Sequence, residues 1–233
     1  MKEIKDSALL NHYLREHQLQ DVFHEPLRPF LTLYLVQPGE KLCNQGEQAD
    51  TIYVLVKGKI KIYTTSPEGR TLVISFKPPP EVIGDIEYIR DLPIINTVEA
   101  VSPSTVIAIP AKMLHRYGDD HAPLLRFMLD IITKKFYIKS DFLSFNLMVP
   151  VEVRLASYLL SVCYDESDRT FQGRLATSEL TDTANLIGSS YRHLNRVIRK
   201  LAEKGLIERS GGYVYVRDRT KLAQLAGKNV YER

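Results

Sequence analysis

The residues whose chemistry is easiest to interpret lie near the C-terminus, in a stretch from Tyr191 to Lys204 with the pattern of an amphipathic helix. At about 100° per residue, one side collects apolar side chains. The opposite, polar side carries Arg192, Asn195, Arg196 and Arg199. An α-helix fits the major groove of duplex DNA, where arginine can hydrogen-bond guanine and asparagine can hydrogen-bond adenine. The spacing therefore predicts a helix that docks on base pairs.

Within this helix, side chains near the N-terminus are expected to reach deepest into the groove. We therefore assign base recognition to Arg192 and Arg196, with Tyr191 and Asn195 as further candidates. The predicted phosphate contacts are Ser190, Arg199, Lys200, Arg209 and Tyr213. His193 could contact a phosphate or pack beneath the preceding turn, and the sequence favours neither position.

The segments around this helix predict a winged helix-turn-helix. A shorter helical segment, residues 178–186, comes first, and Gly188 then supplies a backbone conformation that other residues resist. Gly205 caps the second helix, and residues 206–216 have the strand, Gly-Gly turn and strand of a hairpin. Residues 191–233 hold eleven Lys or Arg and four Asp or Glu, net +7, against +3 for the whole chain. A polyanion is expected to bind here, although a lone basic helix face is more often only solvated.

Two further regions precede this one. From Leu31 to Ile109 the chain consists of short runs rich in Val, Ile, Tyr and Thr, separated by Gly and Pro, which predicts a β-roll or β-sandwich. Pro123 then opens a long helix with apolar residues at heptad-like spacing, for which we predict a dimer seam. The predicted seam residues are Leu124, Met128, Ile131, Ile138, Phe142 and Phe145.

The long helix has a second apolar side, which we assign to contacts with its own β-domain. This side contains Leu125, Phe127, Leu129 and Ile132. Lys135 falls on a seam position and interrupts the first side. Two apolar sides predict a homodimer, with a helix lying on the sheet of a monomer as the alternative. We expect an α+β chain with an N-terminal β-roll in residues 1–120, a central dimerisation helix in 121–149 and a C-terminal winged helix-turn-helix in 150–233.

Composition limits the class of protein. The chain has 233 residues, 44% of them hydrophobic and 25% charged, as in globular proteins with a packed core. Its two cysteines, Cys43 and Cys163, are too few for a disulfide framework or a thiolate metal site, so we expect a reducing cytoplasm and no metal or cofactor. The N-terminus is charged, and no apolar run approaches the length of a membrane span. No phosphate-binding Gly-rich loop, Gly-x-Ser-x-Gly turn or His-Glu-x-x-His pair occurs, so no enzyme is expected.

Several motifs, in order, resemble the Crp/Fnr family of bacterial transcription regulators over nearly the whole chain. Residues 38–40 (Pro-Gly-Glu) and 83–85 (Ile-Gly-Asp) are among the turns that are similar to the family's cyclic-nucleotide-binding fold. Residues 154–160 resemble the first helix of its DNA-binding domain, and residues 187–194 resemble its recognition helix, most closely in the YeiL-like branch. The resemblance implies a homodimer that binds a two-fold operator in double-stranded DNA and contacts RNA polymerase.

The sequence departs from the family where cyclic nucleotides bind. Members that bind them carry a Gly-Glu pair, whose carboxylate takes the ribose hydroxyl, and further on an Arg for the phosphate. Here the candidate pocket residues are Gly84, Asp85, Ile94, Ile95 and Asn96, and Ile94 stands in the place of that Arg. A phosphate buried against Ile lacks a counter-charge, so cyclic AMP and cyclic GMP are not expected to bind. Arg90 is the one nearby cation, and we expect it to be a solvated loop charge.

Two cysteines also cannot ligate the iron–sulfur cluster of other family members, which leaves a thiol sensor as an open alternative. Two hypotheses about function follow. The first is a dimeric transcription regulator whose β-domain senses an unidentified signal or is only structural. The second is a ligand-binding regulatory module whose winged helix docks on protein instead of DNA. Salt distinguishes them, because DNA binding through several phosphates weakens steeply as salt rises.

Overall fold

A computed structural model describes residues 1–69, 71–163 and 174–227. The fold is α+β, with a roll of antiparallel strands, then a long helix, then a winged helix-turn-helix, which confirms the predicted architecture. Across these three ranges, no helix combines the length and the apolar character needed to cross a membrane.

Contacts within the chain divide it into two compact units. One consists of residues 1–65 and 77–136, and the other of residues 66–76 and 137–233. The division falls inside the long helix and not at either of its ends. The domain limits predicted at residues 120 and 150 stay predictions.

Short strands dominate the chain up to residue 110. They are β1 (Lys2–Ile4), β2 (Thr32–Val36), β3 (Lys41–Cys43), β4 (Thr51–Lys57), β5 (Ile60–Thr65), β6 (Thr71–Lys77), β7 (Glu81–Ile83), β8 (Thr97–Ala100) and β9 (Ser104–Pro110). One sheet has the order β1-β2-β9-β4-β7 and the other the order β3-β8-β5-β6. The β-branched residues that predicted these strands pair across them, as Ile52 does with Ile109 and Val54 with Ile107.

Short helices complete this part of the chain, and they are α1 (Ser7–Glu16), α2 (Asp85–Arg90) and α3 (Ala111–Gly118), with a 3₁₀ turn at Arg28–Phe30. Helix α1 begins where the side chain of Asp6 accepts a hydrogen bond from the backbone N–H of Leu9 (2.8 Å). One apolar cluster joins the helices to the sheet through Leu14, Phe23, Ile107 and Leu114. A second cluster, between the strands, includes Val36, Ile60, Ile94 and Val98.

Helix α4 (Ala122–Met148) is the long helix. The apolar side that we predicted as the dimer seam packs on the β-roll instead. Leu124, Met128 and Ile131 are buried in the first cluster of the chain's own core. Side chains that are already buried in one chain leave little surface for a second copy. This burial disfavours a seam at these residues, and the predicted dimer interface stays a prediction. Ile138 is half-buried, Phe145 packs against the C-terminal core, and the side chain of Phe142 lies outside the described part.

The exposed apolar side of α4 is the one that we assigned to the β-domain. Phe127 does pack against the β-roll core, as predicted. Leu125 and Leu129, however, are exposed, and the apolar exposure continues along the helix at Phe136, Leu143 and Leu147. Helical periodicity detected both apolar sides, but it does not determine which of them faces the sheet.

The C-terminal elements form the winged helix-turn-helix. They are α5 (Val151–Cys163), β10 (Leu175–Ala176), a 3₁₀ turn (Thr177–Glu179), α6 (Leu180–Leu186), α7 (Tyr191–Glu203), β11 (Ile207–Ser210), β12 (Tyr213–Val216) and α8 (Arg219–Ala226). Their strands form a sheet of order β10-β12-β11. The core of this region collects one apolar side chain or more from each helix, among them Leu159, Leu180, Leu194 and Leu222. Helix α7 is thereby held with its polar side outward.

Candidate nucleic-acid interface

Helix α7 presents the polar side that the sequence predicts. Its apolar side is fully or almost fully buried and consists of Leu194, Val197, Ile198 and Leu201. Arg192, Arg196 and Arg199 are exposed, and in the described part of the chain no hydrogen bond or ion pair engages their guanidinium groups. Tyr191 and His193 are exposed as well. The helix therefore offers three free guanidinium groups to a polyanion.

The start of α7 is fixed by a side-chain cap. Ser190 lies in extended backbone, and its hydroxyl accepts a hydrogen bond from the N–H of His193 (3.2 Å). The hydroxyl of Ser190 is thus used within the helix, while other N–H groups of the first turn remain available. A helix N-terminus favours anions, which is compatible with the predicted phosphate contact at Ser190.

The turn before α7 is held by a buried arginine that the sequence analysis did not single out. Arg154 lies on α5, and its Nη1 donates to the carbonyl oxygens of Ile187 and Gly188, the latter at 3.2 Å. Gly188 has φ +62°, and a Cβ there would lie 3.0 Å from the same Nη1. The turn therefore requires glycine for two reasons, its backbone conformation and the close approach of Arg154. The signal in the sequence is an arginine followed by the long apolar run of α5.

Asn195 has a different environment from the one we predicted. Its Oδ1 accepts a hydrogen bond from Nη1 of Arg209 in the wing (2.9 Å), and its Nδ2 donates to the carbonyl oxygen of Tyr191 (3.0 Å). Both polar atoms of the amide are thus engaged inside the protein. Asn195 joins the wing to α7 and orients Arg209, and each of the two amide atoms keeps one further hydrogen-bonding site that a base could use.

Lys200, a predicted phosphate contact, forms an ion pair with Glu152 of α5. Lys204 approaches the same carboxylate, with its Nζ 3.9 Å from Oε2. Glu152 therefore neutralises part of the positive charge at the C-terminal end of α7. The net basic charge is concentrated nearer the N-terminus of the helix, where Arg192 and Arg196 lie.

The wing is a tight hairpin with a second cation beside its turn. Gly211 and Gly212 have φ +56° and +82°, the positive pair that a two-residue hairpin loop with matching twist requires. The guanidinium of Arg174 lies 3.8 Å from the ring centroid of Tyr213, the predicted phosphate contact. Arg174 was not predicted, because it is distant in sequence from the ring on which it stacks.

The candidate ligand-pocket residues lie in the β-roll, and several of their polar groups have hydrogen-bond partners within the protein. Ile94 is buried in the apolar cluster between the strands, whereas Ile95 is exposed. The carboxylate of Glu87 on α2 accepts a hydrogen bond from the N–H of Ile95 (2.9 Å). Gly84 precedes α2, Asn96 precedes β8, and the carboxylate of Asp85 contacts the Nζ of Lys135 at 2.9 and 3.0 Å. The segment is therefore tied to α2 and α4.

The two thiols are buried. Burial, together with the nearby charge of Glu87, raises the pKa of Cys43 to about 12, and burial raises the pKa of Cys163 to about 12. A thiol with so high a pKa is not nucleophilic at neutral pH, which disfavours a thiol sensor. Within the part of the chain that the structure describes, no group of three His, Cys, Asp or Glu side chains could hold a metal ion.

Comparisons with known proteins agree with this arrangement. The profile of the "Cyclic nucleotide-binding domain" family matches residues 35–121, and that of the "Crp-like helix-turn-helix domain" family matches residues 153–225, together more than half of the chain. The regulatory protein YeiL of Escherichia coli O157:H7 is 25% identical over 213 residues, which are 91% of this chain and 94% of that protein. A CRP-like cAMP-activated global transcriptional regulator of Mycobacterium tuberculosis is 22% identical over 81% of this chain and 85% of its own.

Solved structures share the fold. A regulator of the Crp/Fnr family from Eubacterium rectale covers 93% of this chain and 100% of its own, with a TM-score of 0.72 at 20% identity. A second regulator of that family, from Thermus thermophilus, covers 84% of this chain and 99% of its own, with a TM-score of 0.64 at 18% identity. At these identities the likeness concerns the fold alone.

Proposed function

Because the chain belongs to the Crp/Fnr family of transcription regulators, we propose that it is a sequence-specific DNA-binding protein that acts as a homodimer on a two-fold operator. Membership gives the coarser part of this statement, a regulator with a helix-turn-helix DNA-binding domain. The operator symmetry, the dimer and the contact with RNA polymerase are the finer parts, and they rest on the family resemblance and on the geometry below. We include a cytoplasmic location and the absence of enzymatic activity in the same proposal.

One observation carries the proposal: Arg192, Arg196 and Arg199 are exposed on α7 without an internal partner among the described residues. If the basic face of α7 were only solvated, its cations could all be paired with neighbouring carboxylates, as Lys200 is. Free guanidinium groups on the second helix of a helix-turn-helix fit the edges of guanine bases and the phosphates beside them. The same helix lacks a large exposed apolar surface, which disfavours the alternative in which the winged helix docks on protein.

The residues divide into base-reading and positioning groups. Arg192 and Arg196, one helical turn apart near the start of α7, are the proposed base readers, and Tyr191 borders them. The proposed phosphate contacts are Ser190, Arg199, Lys200, Arg209, Tyr213 and Arg174. Asn195 acts mainly by holding Arg209 in place across 2.9 Å. Arg174 is added to the predicted set because its guanidinium lies on the ring of Tyr213 at the edge of the wing.

The exposed side of α4 is the proposed dimer seam, with a second copy of this chain as its occupant. The seam residues are the exposed Leu125, Leu129, Phe136, Leu143 and Leu147, together with the half-buried Ile132. The separations from Leu125 to Leu143, of four, three, four and seven residues, follow the heptad repeat of a coiled coil, with Lys139 at the intervening core position. Leu147 lies one residue beyond the next heptad position. A heptad seam is self-complementary, so two α4 helices related by a two-fold axis can bury it in one another. The same axis places two α7 helices on a two-fold operator.

Selection from a random DNA pool tests this function. The purified protein is expected to enrich a palindromic site whose half-sites lie about one helical turn apart, roughly 34 Å. Affinity for that site is expected to fall about a thousandfold between about 50 and 200 mM salt if roughly six to ten phosphates are contacted. The selection is repeated with and without reductant, and the buried thiols predict the same site in both. Failure to retain any duplex at low salt would contradict the proposal and favour the protein-docking alternative.

Cyclic nucleotides are not expected to be the effector. Ile94 supplies no cation for a phosphate, and Lys135 already contacts both oxygens of the Asp85 carboxylate. Calorimetric titration with cyclic AMP and with cyclic GMP is therefore expected to show no binding heat, and neither is expected to change operator affinity. Submicromolar binding of either nucleotide would refute this part of the proposal.

A further inference from the structure

A buried group of charges joins α4 to the β-roll. The ammonium group of Lys135 lies 2.8 Å from Oε1 of Glu81 and 2.9 Å from Oδ1 of Asp85. It also donates to the backbone carbonyl oxygen of Val82 (2.7 Å). Lys135 of the long helix therefore contacts two carboxylates and one backbone carbonyl of the segment that contains β7 and the start of α2.

These charges are removed from water. Asp85 is 3% exposed and Glu81 is 8% exposed, while the side chain of Lys135 is 20% exposed. Burial by itself would lower the pKa of Lys135, but the charges of Glu81 and Asp85 outweigh it and raise that pKa above its usual value. Lys77 approaches the other oxygen of Glu81 at 4.0 Å. Lys135 is thus charged, and its ammonium group forms charge-assisted hydrogen bonds, which depend on the positions of both partners.

The position of Lys135 on the helix gives these contacts a second consequence. Lys135 continues the stripe of Met128 and Ile131 that packs on the β-roll, and its neighbour Phe136 is 72% exposed on the proposed seam. Contacts that hold Lys135 toward the β-roll therefore set the rotation of the helix about its axis at this level. The rotation decides how the seam residues are presented to a second copy.

We propose that Lys135 is a positioning residue, an internal cation that fixes α4 on the β-roll and so presents the dimer seam without a small-molecule effector. The inference rests on the dimer of the proposed function and deepens it. Asp85 is the carboxylate that the family resemblance places in a ligand pocket, and here both its oxygens are contacted by a cation of the chain itself. No ligand is then needed to connect the start of α2 to α4.

Two variants separate positioning from simple stability. Lys135→Met leaves two buried carboxylates without their cation and is expected to lower the Tm by roughly 10 °C or more. The triple variant Lys135→Met, Glu81→Gln, Asp85→Asn removes all three charges and is expected to recover most of that Tm. Lys134→Met, which removes an exposed lysine one residue away, serves as the matched control and is expected to match the wild type.

The decisive measurement is the triple variant's behaviour once its stability is restored. Its dimer dissociation constant is expected to rise about tenfold or more, because the presenting arrangement of α4 is less populated, and operator affinity is expected to fall with it. Backbone amides of α4 near Lys135 are expected to exchange faster with deuterium. A triple variant with wild-type dimerisation and wild-type exchange would overturn the positioning role.

The same experiment keeps this inference apart from the function on which it rests. If the wild-type protein is monomeric or ignores the selected operator, the proposed function fails, and exchange at α4 still decides whether Lys135 fixes the helix. If the wild type dimerises and binds while the triple variant is indistinguishable from it, only the inference about Lys135 fails.

Discussion

The Arg196→Ala variant is expected to bind duplex DNA but to lose most of its preference for the operator. Arg196 is exposed on α7, without an internal partner in the described part of the chain, one turn after Arg192. A bidentate arginine–guanine contact contributes about 1–3 kcal/mol of discrimination, so its loss reduces the preference about fivefold to a hundredfold for each half-site. A repeated selection and a competition between operator and unrelated duplex measure the change.

The controls for Arg196→Ala separate base recognition from charge. Arg199→Ala, more than two turns from the helix start, is expected to weaken binding to all sequences about equally, since it removes a phosphate contact. Lys112→Ala removes one exposed charge from the β-roll and is expected to leave both affinity and selectivity unchanged. Thermal unfolding is expected to match the wild type in all three variants. Wild-type selectivity in Arg196→Ala would remove this residue from the base readers.

Local sequence patterns predicted the helix-turn-helix well because its determinants lie close together in the chain. The buried side of α7 is the apolar side of the helical wheel, and the helix begins after Ser190 and ends near Gly205, as predicted. A cap, an apolar stripe and a glycine act over a few residues. Their geometry can therefore be inferred without knowledge of the rest of the fold.

The parts of the candidate site that escaped prediction depend on partners distant in the sequence. Arg154 donates a hydrogen bond to the carbonyl oxygen of Gly188. Glu152 forms an ion pair with Lys200, and Arg174 stacks on the ring of Tyr213. Arg154, Glu152 and Arg174 are charged, and the sequence alone does not show whether a charged side chain has a partner in the protein or is only solvated. For this reason the sequence did not indicate that Lys200, a predicted phosphate contact, has a carboxylate partner in Glu152.

Helix α4 shows the same limit at a larger scale. The sequence indicates both apolar stripes, but the stripe predicted for the dimer is buried in the chain's own core, and most of the other is exposed. The sequence predicts that Lys135 interrupts a dimer seam. In the structure it continues the stripe that packs on the β-roll, where it contacts acidic side chains. A lysine within an apolar stripe is compatible with either a surface or a buried ion pair, and only the position of Glu81 and Asp85 distinguishes the two.

Exchanging the roles of the two stripes changes which substitution is expected to produce a monomer. Leu129 is 63% exposed in the N-terminal half of the proposed seam, and Leu129→Glu is expected to give a folded monomer. The change removes about 1.5–3 kcal/mol of apolar burial from each helix and adds two facing carboxylates, so the dimer dissociation constant is expected to rise at least about a hundredfold. Sedimentation across a concentration series measures it, with a wild-type Tm as the sign of an intact β-roll.

Ile131→Glu is the matched substitution on the other stripe, only two residues away, and a different failure is expected of it. Ile131 is 7% exposed within the chain's own core, so a carboxylate there is buried without a partner and is expected to destabilise the fold by several kcal/mol. Loss of cooperative unfolding in Ile131→Glu, together with a stable monomer in Leu129→Glu, is the expected pair of results. A folded monomer from Ile131→Glu and an intact dimer from Leu129→Glu would return the interface to the originally predicted stripe.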